Sequence, residues 1–259
     1  MNAEELLRRY AAGERDFRGV DLSRVDLSRI NLSRIYLADE SLKGYQTEKS
    51  SLAWVGGVNL SSIDLRGANL ELANLEGADL MEANLSGANL TGARLDVVRL
   101  NGADLSSANI RNGKLMSARL HQTKMSGAIL EEAVLTDAEL IGTILKRGKL
   151  KGAGLETATL IEVDFRGADL REVGIGPATI ERCNFTKANW NRGDIWQCLF
   201  LDCDMTNISF RKARLFEMTF VRCNLTGAKM NGIEMGDARF EEVILPDGSR
   251  INKSTDFFR

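Results

Sequence analysis

From Leu60 to Leu245 every fifth residue is hydrophobic, 38 positions without a miss. The residues run Leu60, Leu65, Leu70 and onward to Trp190, Phe200 and Phe240. A second apolar set lies two places earlier in each unit, where 20 of the 38 residues are Ala, as at Ala68, Ala73 and Ala78. The residue between the two sets is often Asp or Asn, as at Asn69, Asn74 and Asp79. A period of five fits neither the 3.6 of an amphipathic helix nor the 2 of a flat half-buried strand. Both apolar positions must face one interior, so the chain turns once per five residues. A closed coil needs several such turns, a requirement that a four-sided coil of 20 residues satisfies, and successive coils stack at about 4.8 Å, the spacing of hydrogen-bonded strands. Gly two places after the large residue, as at Gly67, Gly77, Gly87, Gly92 and Gly102, suits a tight corner with left-handed backbone.

Segments such as Gly67-Ala68-Asn69-Leu70-Glu71 and Gly87-Ala88-Asn89-Leu90-Thr91 resemble the pentapeptide-repeat family, whose motif is A-(D/N)-L-x-x. The resemblance implies an all-β fold, a right-handed quadrilateral β-helix, over roughly residues 17–245. The start of the chain, Met1 to Phe17, is similar to the start of cyanobacterial members of that family. The family resemblance speaks for the fold and little for function, because the repeat residues build a core.

The first units run in another frame, through Phe17, Leu22, Leu27, Leu32, Leu37 and Leu42, and Leu42 and Leu60 are not separated by a multiple of five. A loop at about 43–57 absorbs the slip, and its Tyr45 and Trp54 make it a candidate recognition loop. Residues 3–12 read as a helix with Leu6, Leu7 and Tyr10 on one side. Stacked repeats need their ends covered, so residues 1–14 are expected to form an N-terminal cap, 15–245 the β-helix, and 246–259 a turn and tail. Pro246-Asp247-Gly248-Ser249 stops the repeat, and the tail is expected to fold back over the last coil.

Composition narrows the chemistry. The chain holds one His and four Cys, which removes most His-based catalysis and His-ligated metal sites. Cys183, Cys198, Cys203 and Cys223 all occupy the small inward position, and three of them stack at intervals of 20, so they read as packed thiols rather than zinc ligands. His121 follows an inward Leu and points outward with no cleft around it. Gly142 to Leu150 and Gly174 to Pro177 fail as phosphate-binding loops. The Asp and Asn residues of the repeat are explained by local hydrogen bonds to the backbone. The expectation is therefore no enzyme, no cofactor and no metal. No basic start leads into an apolar core and no run approaches 18 apolar residues, so a cytoplasmic protein with no membrane attachment is expected.

Net charge is −2, and acidic and basic residues balance in each part of the chain: 9 against 9 over 1–60, 11 against 10 over 61–150, and 16 against 15 over 151–259. This bears on one property of the family. Some pentapeptide-repeat proteins bind DNA gyrase by imitating duplex DNA, and those are strongly acidic and dimeric. A phosphate mimic needs sustained negative charge, so that alternative is disfavoured here, as is direct nucleic-acid binding. The remaining reading is a rigid surface for a protein partner, a regulatory scaffold. Trp196, Leu199, Leu201, Phe216 and Val221 fall at outward positions and are the candidate interface, with a homodimer through the C-terminal half as one form of it. Ile141 and Ile161 extend the Leu201 column. Arg94, Arg99, Arg111, Lys114, Arg119 and Lys124 form a candidate basic face, opposed in sequence by Asp96 and Asp104.

Overall fold

The computed structural model describes residues 1–30, 32, 58–252 and 255–257. Parallel bridges join residues 20 apart on four sides of the chain: Asn59 to Asp79, Asp64 to Asn84, Asn69 to Asn89 and Asn74 to Arg94. These are called the first to fourth sides below. The result is the right-handed quadrilateral β-helix that the family resemblance implies. From Leu60 to Leu225 the hydrophobic inward residues are buried, at 0–2% exposure, except the half-buried Ala178.

The ladder has one rule. The large inward residue donates its N–H forward to the next coil, as in Leu65 N–H to Asn84 O at 2.7 Å, and the outward residue donates backward, as in Asn84 N–H to Ile63 O at 2.8 Å. Most corners are closed by an i+3 to i bond such as Ala68 N–H to Leu65 O. The Asp or Asn side chain braces the same corner: Asn89 Oδ1 accepts from Thr91 N–H at 3.2 Å, and Asp104 Oδ1 from Ser106 N–H at 2.9 Å. Corner residues adopt positive φ whether or not they are glycine; Gly67 sits at +59°, Leu72 at +56° and Val97 at +58°. A non-glycine residue there costs about 1 kcal/mol, and the ladder bonds made by the same N–H groups impose it.

Among the described residues, regular strands appear only from Glu139 onward. They are β1 (Glu139–Ile141), β2 (Thr159–Ile161), β3 (Gly174–Ile175), β4 (Ala178–Glu181), β5 (Asp194–Trp196), β6 (Cys198–Leu201), β7 (Arg214–Phe216), β8 (Thr219–Val221), β9 (Glu234–Gly236), β10 (Ala238–Glu241), β11 (Val243–Ile244), β12 (Arg250–Ile251) and β13 (Thr255–Phe257). The first side carries the order β1-β2-β4-β6-β8-β10-β13 and the fourth side β3-β5-β7-β9. All these neighbours are parallel except β10–β13, which is antiparallel, as is the separate pair β11–β12. Of the tail, residues 250–251 and 255–257 turn back and add strands to the forward edges of the second and first sides.

The two reading frames stack directly. Asp16, Asp21 and Asp26 bridge Asn59, Asp64 and Asn69, a separation of 43 residues in place of 20. The expected loop at 43–57, with Tyr45 and Trp54, lies outside the described residues. Helix α1 (Ala3–Ala11) is capped by Asn2, whose side chain accepts from Glu5 N–H at 2.8 Å. Leu6 is buried against the first coil, but Leu7 is 46% exposed, so the helix presents a narrower apolar edge than the sequence implies. Arg9 pairs with Glu14 and lies over the Phe17 ring.

The aromatic residues that enter the core after residue 160 stack along the axis. Phe165 and Phe185 are 4.9 Å apart, Phe200 and Phe220 5.1 Å, and Phe220 and Phe240 5.2 Å, all nearly coplanar. Room for Trp190 comes from Gly193, where a Cβ would collide with the indole, and the indole N–H donates to Val173 O at 3.3 Å.

Candidate functional site on the flank of the β-helix

The interior carries no chemistry. Thr123, Thr143, Cys183, Cys203 and Cys223 occupy one column at the corner between the first and second sides, at steps of 20 with Val163 between Thr143 and Cys183. Each donates to the carbonyl 23 residues earlier: Thr123 Oγ1 to Leu100 O at 2.8 Å, Cys203 Sγ to Ile180 O at 3.4 Å and Cys223 Sγ to Phe200 O at 3.4 Å. Thr and Cys thus perform one structural task. All four cysteines are buried free thiols. Burial pushes Cys198 up to about 12. The neighbouring Cys183 thiol, with burial behind it, raises Cys203 to about 12, and Cys203 together with burial raises Cys223 further. Among the described residues no group of three or more His, Cys, Asp or Glu could hold a metal. His121 points outward, one-third exposed, with Nε2 2.6 Å from Glu139 Oε2.

The basic residues do not form one face. Consecutive outward positions lie on consecutive sides, so Lys114, Arg119 and Lys124 girdle the fourth, first and second sides. Arg94 stacks in register with Lys114, and Arg99 with Arg119. These like-charged rungs are relieved from other coils: Arg94 reaches Glu76 at 2.7 Å, Arg99 reaches Asp79 at 3.1 Å, and Arg111 reaches Glu131 at 2.5 Å. Asp96 and Asp104, expected as their counter-charges, are not the partners in these pairs.

The apolar candidates do assemble, on the corner where the fourth side meets the first. Trp196 is the register partner of Phe216 in β5–β7, Leu199 of Thr219 and Leu201 of Val221 in β6–β8. All five are half-buried rather than exposed. The Trp196 ring leans over Gly176, whose φ of +143° and missing Cβ make that approach possible, and the Phe216 ring leans over Gly236. The Arg214 guanidinium lies 5.7 Å from the Phe216 ring centroid. The patch is not continuous: Gln197 donates to Glu217 at 2.8 Å, a polar rung on the corner itself, and it divides the apolar surface into two strips. The Leu201 column is also broken, since Glu181 stands between Ile161 and Leu201. Paired charges border the strips. Arg214 bridges Asp194 and Glu234 on one side, and on the other Arg222 binds Asp202 and Arg182 binds Glu162. Arg222 holds the Asp202 carboxyl below the usual carboxylate range.

One apolar cavity of about 260 Å³ opens at the C-terminal mouth of the coil, lined by Leu225, Met230, Ile233, Met235, Phe240, Leu245 and Pro246. The sequence reads all of these as ordinary inward positions except Pro246, which it reads as the stop of the repeat. Only the place where the coil stops exposes them, and the period of five carries no signal of that.

Known proteins agree with this architecture. The pentapeptide repeats family matches residues 59–96, 83–122 and 114–152, and the pentapeptide repeat region family matches 177–249. Among solved structures, HetL from the cyanobacterium Nostoc sp. strain PCC 7120, a pentapeptide repeat protein involved in heterocyst differentiation regulation, is 28% identical. The match covers 97% of this chain and 100% of HetL with a TM-score of 0.52. The pentapeptide repeat protein Rfr23 from the cyanobacterium Cyanothece 51142 is 25% identical over 72% of this chain and 98% of its own, with a TM-score of 0.27. QnrB1, a plasmid-mediated fluoroquinolone resistance protein, is 14% identical over 85% of this chain and 93% of its own, with a TM-score of 0.47. No curated protein sequence matches the chain. With its motif in both halves and its coil built on that motif, the chain belongs to the pentapeptide-repeat family.

Proposed function

We propose that this protein is a non-enzymatic, regulatory interaction module that grips a protein partner along the corner bearing Trp196, Leu199, Leu201, Phe216 and Val221. The observation that carries the reading is the pair of apolar strips bordered by ion pairs that are already satisfied within the chain. Apolar anchors inside a polar rim are the anatomy of protein interfaces, and Trp and Phe bury large areas at small entropic cost. HetL, matched along its whole length, is a pentapeptide repeat protein involved in heterocyst differentiation regulation, which favours regulation over catalysis here. Imitation of DNA is not favoured, because the charged columns near the patch alternate in sign.

The test is a capture experiment in the native cell with three baits. Wild type and a Lys149→Ala control on the third side should retain the same partner, and Trp196→Ala/Phe216→Ala should lose it while its circular dichroism and melting stay intact. A partner retained equally by all three would place the interface elsewhere.

A further inference from the structure

The third side changes character after Glu172. Up to that coil acids accompany its cations: Arg111 binds Glu131, Lys151 reaches Glu172 at 3.4 Å and Arg171 binds Asp169 at 2.6 Å. In the coils that pass through Asn189, Ser209 and Lys229 the side carries Arg192, Arg211, Lys212 and Lys229, all exposed, and no acidic residue. Ladder bonds tie these four together: Arg192 N–H donates to Arg211 O at 3.0 Å, Phe210 N–H to Lys229 O at 2.9 Å and Lys212 N–H to Asn231 O at 3.2 Å. Arg192 approaches Glu172 at 4.0 Å, and the other three have no ion pair among the described residues. Acids on the bordering sides are engaged where they stand: Asp204 accepts from the Thr186 and Thr206 hydroxyls, and Arg214 bridges Asp194 and Glu234. The neutral residues add donors. Asn191 Oδ1 accepts from Arg211 N–H at 2.9 Å and Ser209 Oγ at 2.7 Å, and Asn189 Oδ1 accepts from Asn191 N–H at 3.3 Å. A backbone N–H can only donate, so these bonds fix which end of each amide is oxygen and leave Nδ2 to the outer surface.

We propose that this face is a docking surface for an acidic, extended segment of a protein partner, whose carboxylates supply the counter-charges that the chain omits. The corner between the third and fourth sides carries the argument. The corresponding column between the first and second sides alternates as Glu162, Arg182, Asp202 and Arg222, with each Arg hydrogen-bonded to the acid one coil before it. The third–fourth column runs Glu172, Arg192, Lys212 and Gly232. Lys212 stands where alternation calls for an acid, and its Cγ lies 3.7 Å from where a Cβ on Gly232 would be. Like charges one rung apart repel, so folding alone favours an acid at 212. Guanidinium, ammonium and amide N–H groups are all donors and carboxylates only accept, so the match is in kind as well as sign. Size selects the source of the anions. The face is one side wide and about 10 Å long, two steps of about 4.8 Å, which a few carboxylates fill. A nucleic acid calls for a longer cationic track with aromatic platforms for its bases. No outward residue of this side in these coils is aromatic, and a net charge of −2 gives the whole chain no attraction for a polyanion. The surface lies across the fourth side from Trp196 and Phe216 and does not depend on them.

Fluorescence anisotropy of a labelled octaglutamate peptide against the full chain at low ionic strength tests this, beside single-stranded oligodeoxythymidine of equal charge. The peptide should bind, and more weakly as salt rises. Arg211→Glu/Lys212→Glu should weaken it at least about tenfold (a cost of about 1.4 kcal/mol). Lys114→Glu/Lys124→Glu, which changes net charge equally on the fourth and second sides, should leave binding nearly unchanged. Lys212→Glu alone should weaken binding and raise the melting temperature, because it restores alternation beside Arg192; Glu already occupies this corner at Glu132 and Glu172, so the side chain fits. Stability gained where binding is lost marks a site kept for function. Trp196→Ala/Phe216→Ala should bind the peptide as the parent does, which separates this test from that of the flank. No binding at low salt overturns the proposal, as does equal loss in the charge-matched variant or a fall in melting on Lys212→Glu. Tighter binding of the oligonucleotide than of the peptide also overturns it, in favour of a nucleic acid.

Discussion

Leu135 and Val134 are neighbours in sequence that the β-helix separates completely. Leu135 is 0% exposed in the axial column of the fourth side and Val134 is 37% exposed on its outer surface. Leu135→Asp removes a fully buried aliphatic side chain, a loss of about 2–3 kcal/mol in transfer energy. It also leaves a carboxyl without a partner among aliphatic neighbours, a further 1–3 kcal/mol or so. An ionised group there would cost more, so the carboxyl stays protonated. The sum is about 3–6 kcal/mol. At roughly 2–4 °C per kcal/mol for a domain of this size, melting should fall by about 6–24 °C. Leu135→Ala should fall between, near 3 kcal/mol. Val134→Asp should stay within about 0.5 kcal/mol.

A solenoid couples each coil chiefly to its neighbours, so the lesion is expected to open the coils around residue 135 first. Calorimetry with hydrogen exchange reads both the melting point and where protection is lost. Equal melting of Leu135→Asp and Val134→Asp, or the reverse order, would show that the inward assignment is wrong along the whole chain, because one period fixes every position.

Two further outcomes follow from shifted ionisation. With Cys198 and Cys203 raised to about 12 against about 8.5 for an open thiol, maleimide labelling at pH 8 should be at least three orders of magnitude slower in native protein than in denaturant, and one fast native thiol would contradict the column. Asp64 and Asp164, held below the usual carboxylate range by Arg66 and Arg166, and Asp202, held by Arg222, contribute stability that is present above the unfolded value near 4 and is lost as pH falls through the lower folded values. Melting temperature should hold steady from pH 7 to about 5 and decline below about 4; a rise on acidification from 5 to 3 would be incompatible with those pairs.

The fold was legible because each inward residue obeys one constraint, repeated every five positions, and Ala68, Leu70 and their equivalents state it in sequence. Corner conformation was half legible: glycine marks it at Gly67 and Gly92, but Leu72 and Val97 adopt it under the ladder's compulsion and show nothing in their side chains. The surface was hardest to read because adjacency there runs in steps of 20. Arg94 through Lys124 look clustered along the chain and are dispersed over several sides, whereas Trp196 and Phe216 look remote and are register partners. The polar rung Gln197–Glu217 and the half-covered mouth depend on which residues stop or interrupt a column, and a period carries no record of its own interruption.

Stacking also decides which surface columns can carry information about a partner. Each outward side chain has neighbours about 4.8 Å away in the coils above and below. Like unit charges at that distance repel by about 1 kcal/mol even in bulk water and several times that near a protein surface. A charged column is therefore stable only if its signs alternate, as in Glu162, Arg182, Asp202 and Arg222 or in Asp194, Arg214 and Glu234, or if its members turn away to other coils, as Arg94 and Arg99 do. The remaining polar solution is neutral, as where Asn89 donates to Asn69 at 3.1 Å. All three arrangements follow from stacking alone and need no partner. Trp196 over Phe216 and Leu201 over Val221 are different: Thr, which fills Thr159, Thr179 and Thr219 on the adjoining side, would satisfy the ladder equally well without leaving aromatic surface in water. The columns that stacking does not require lie on either side of the Gln197–Glu217 rung, and the proposed interface rests on them.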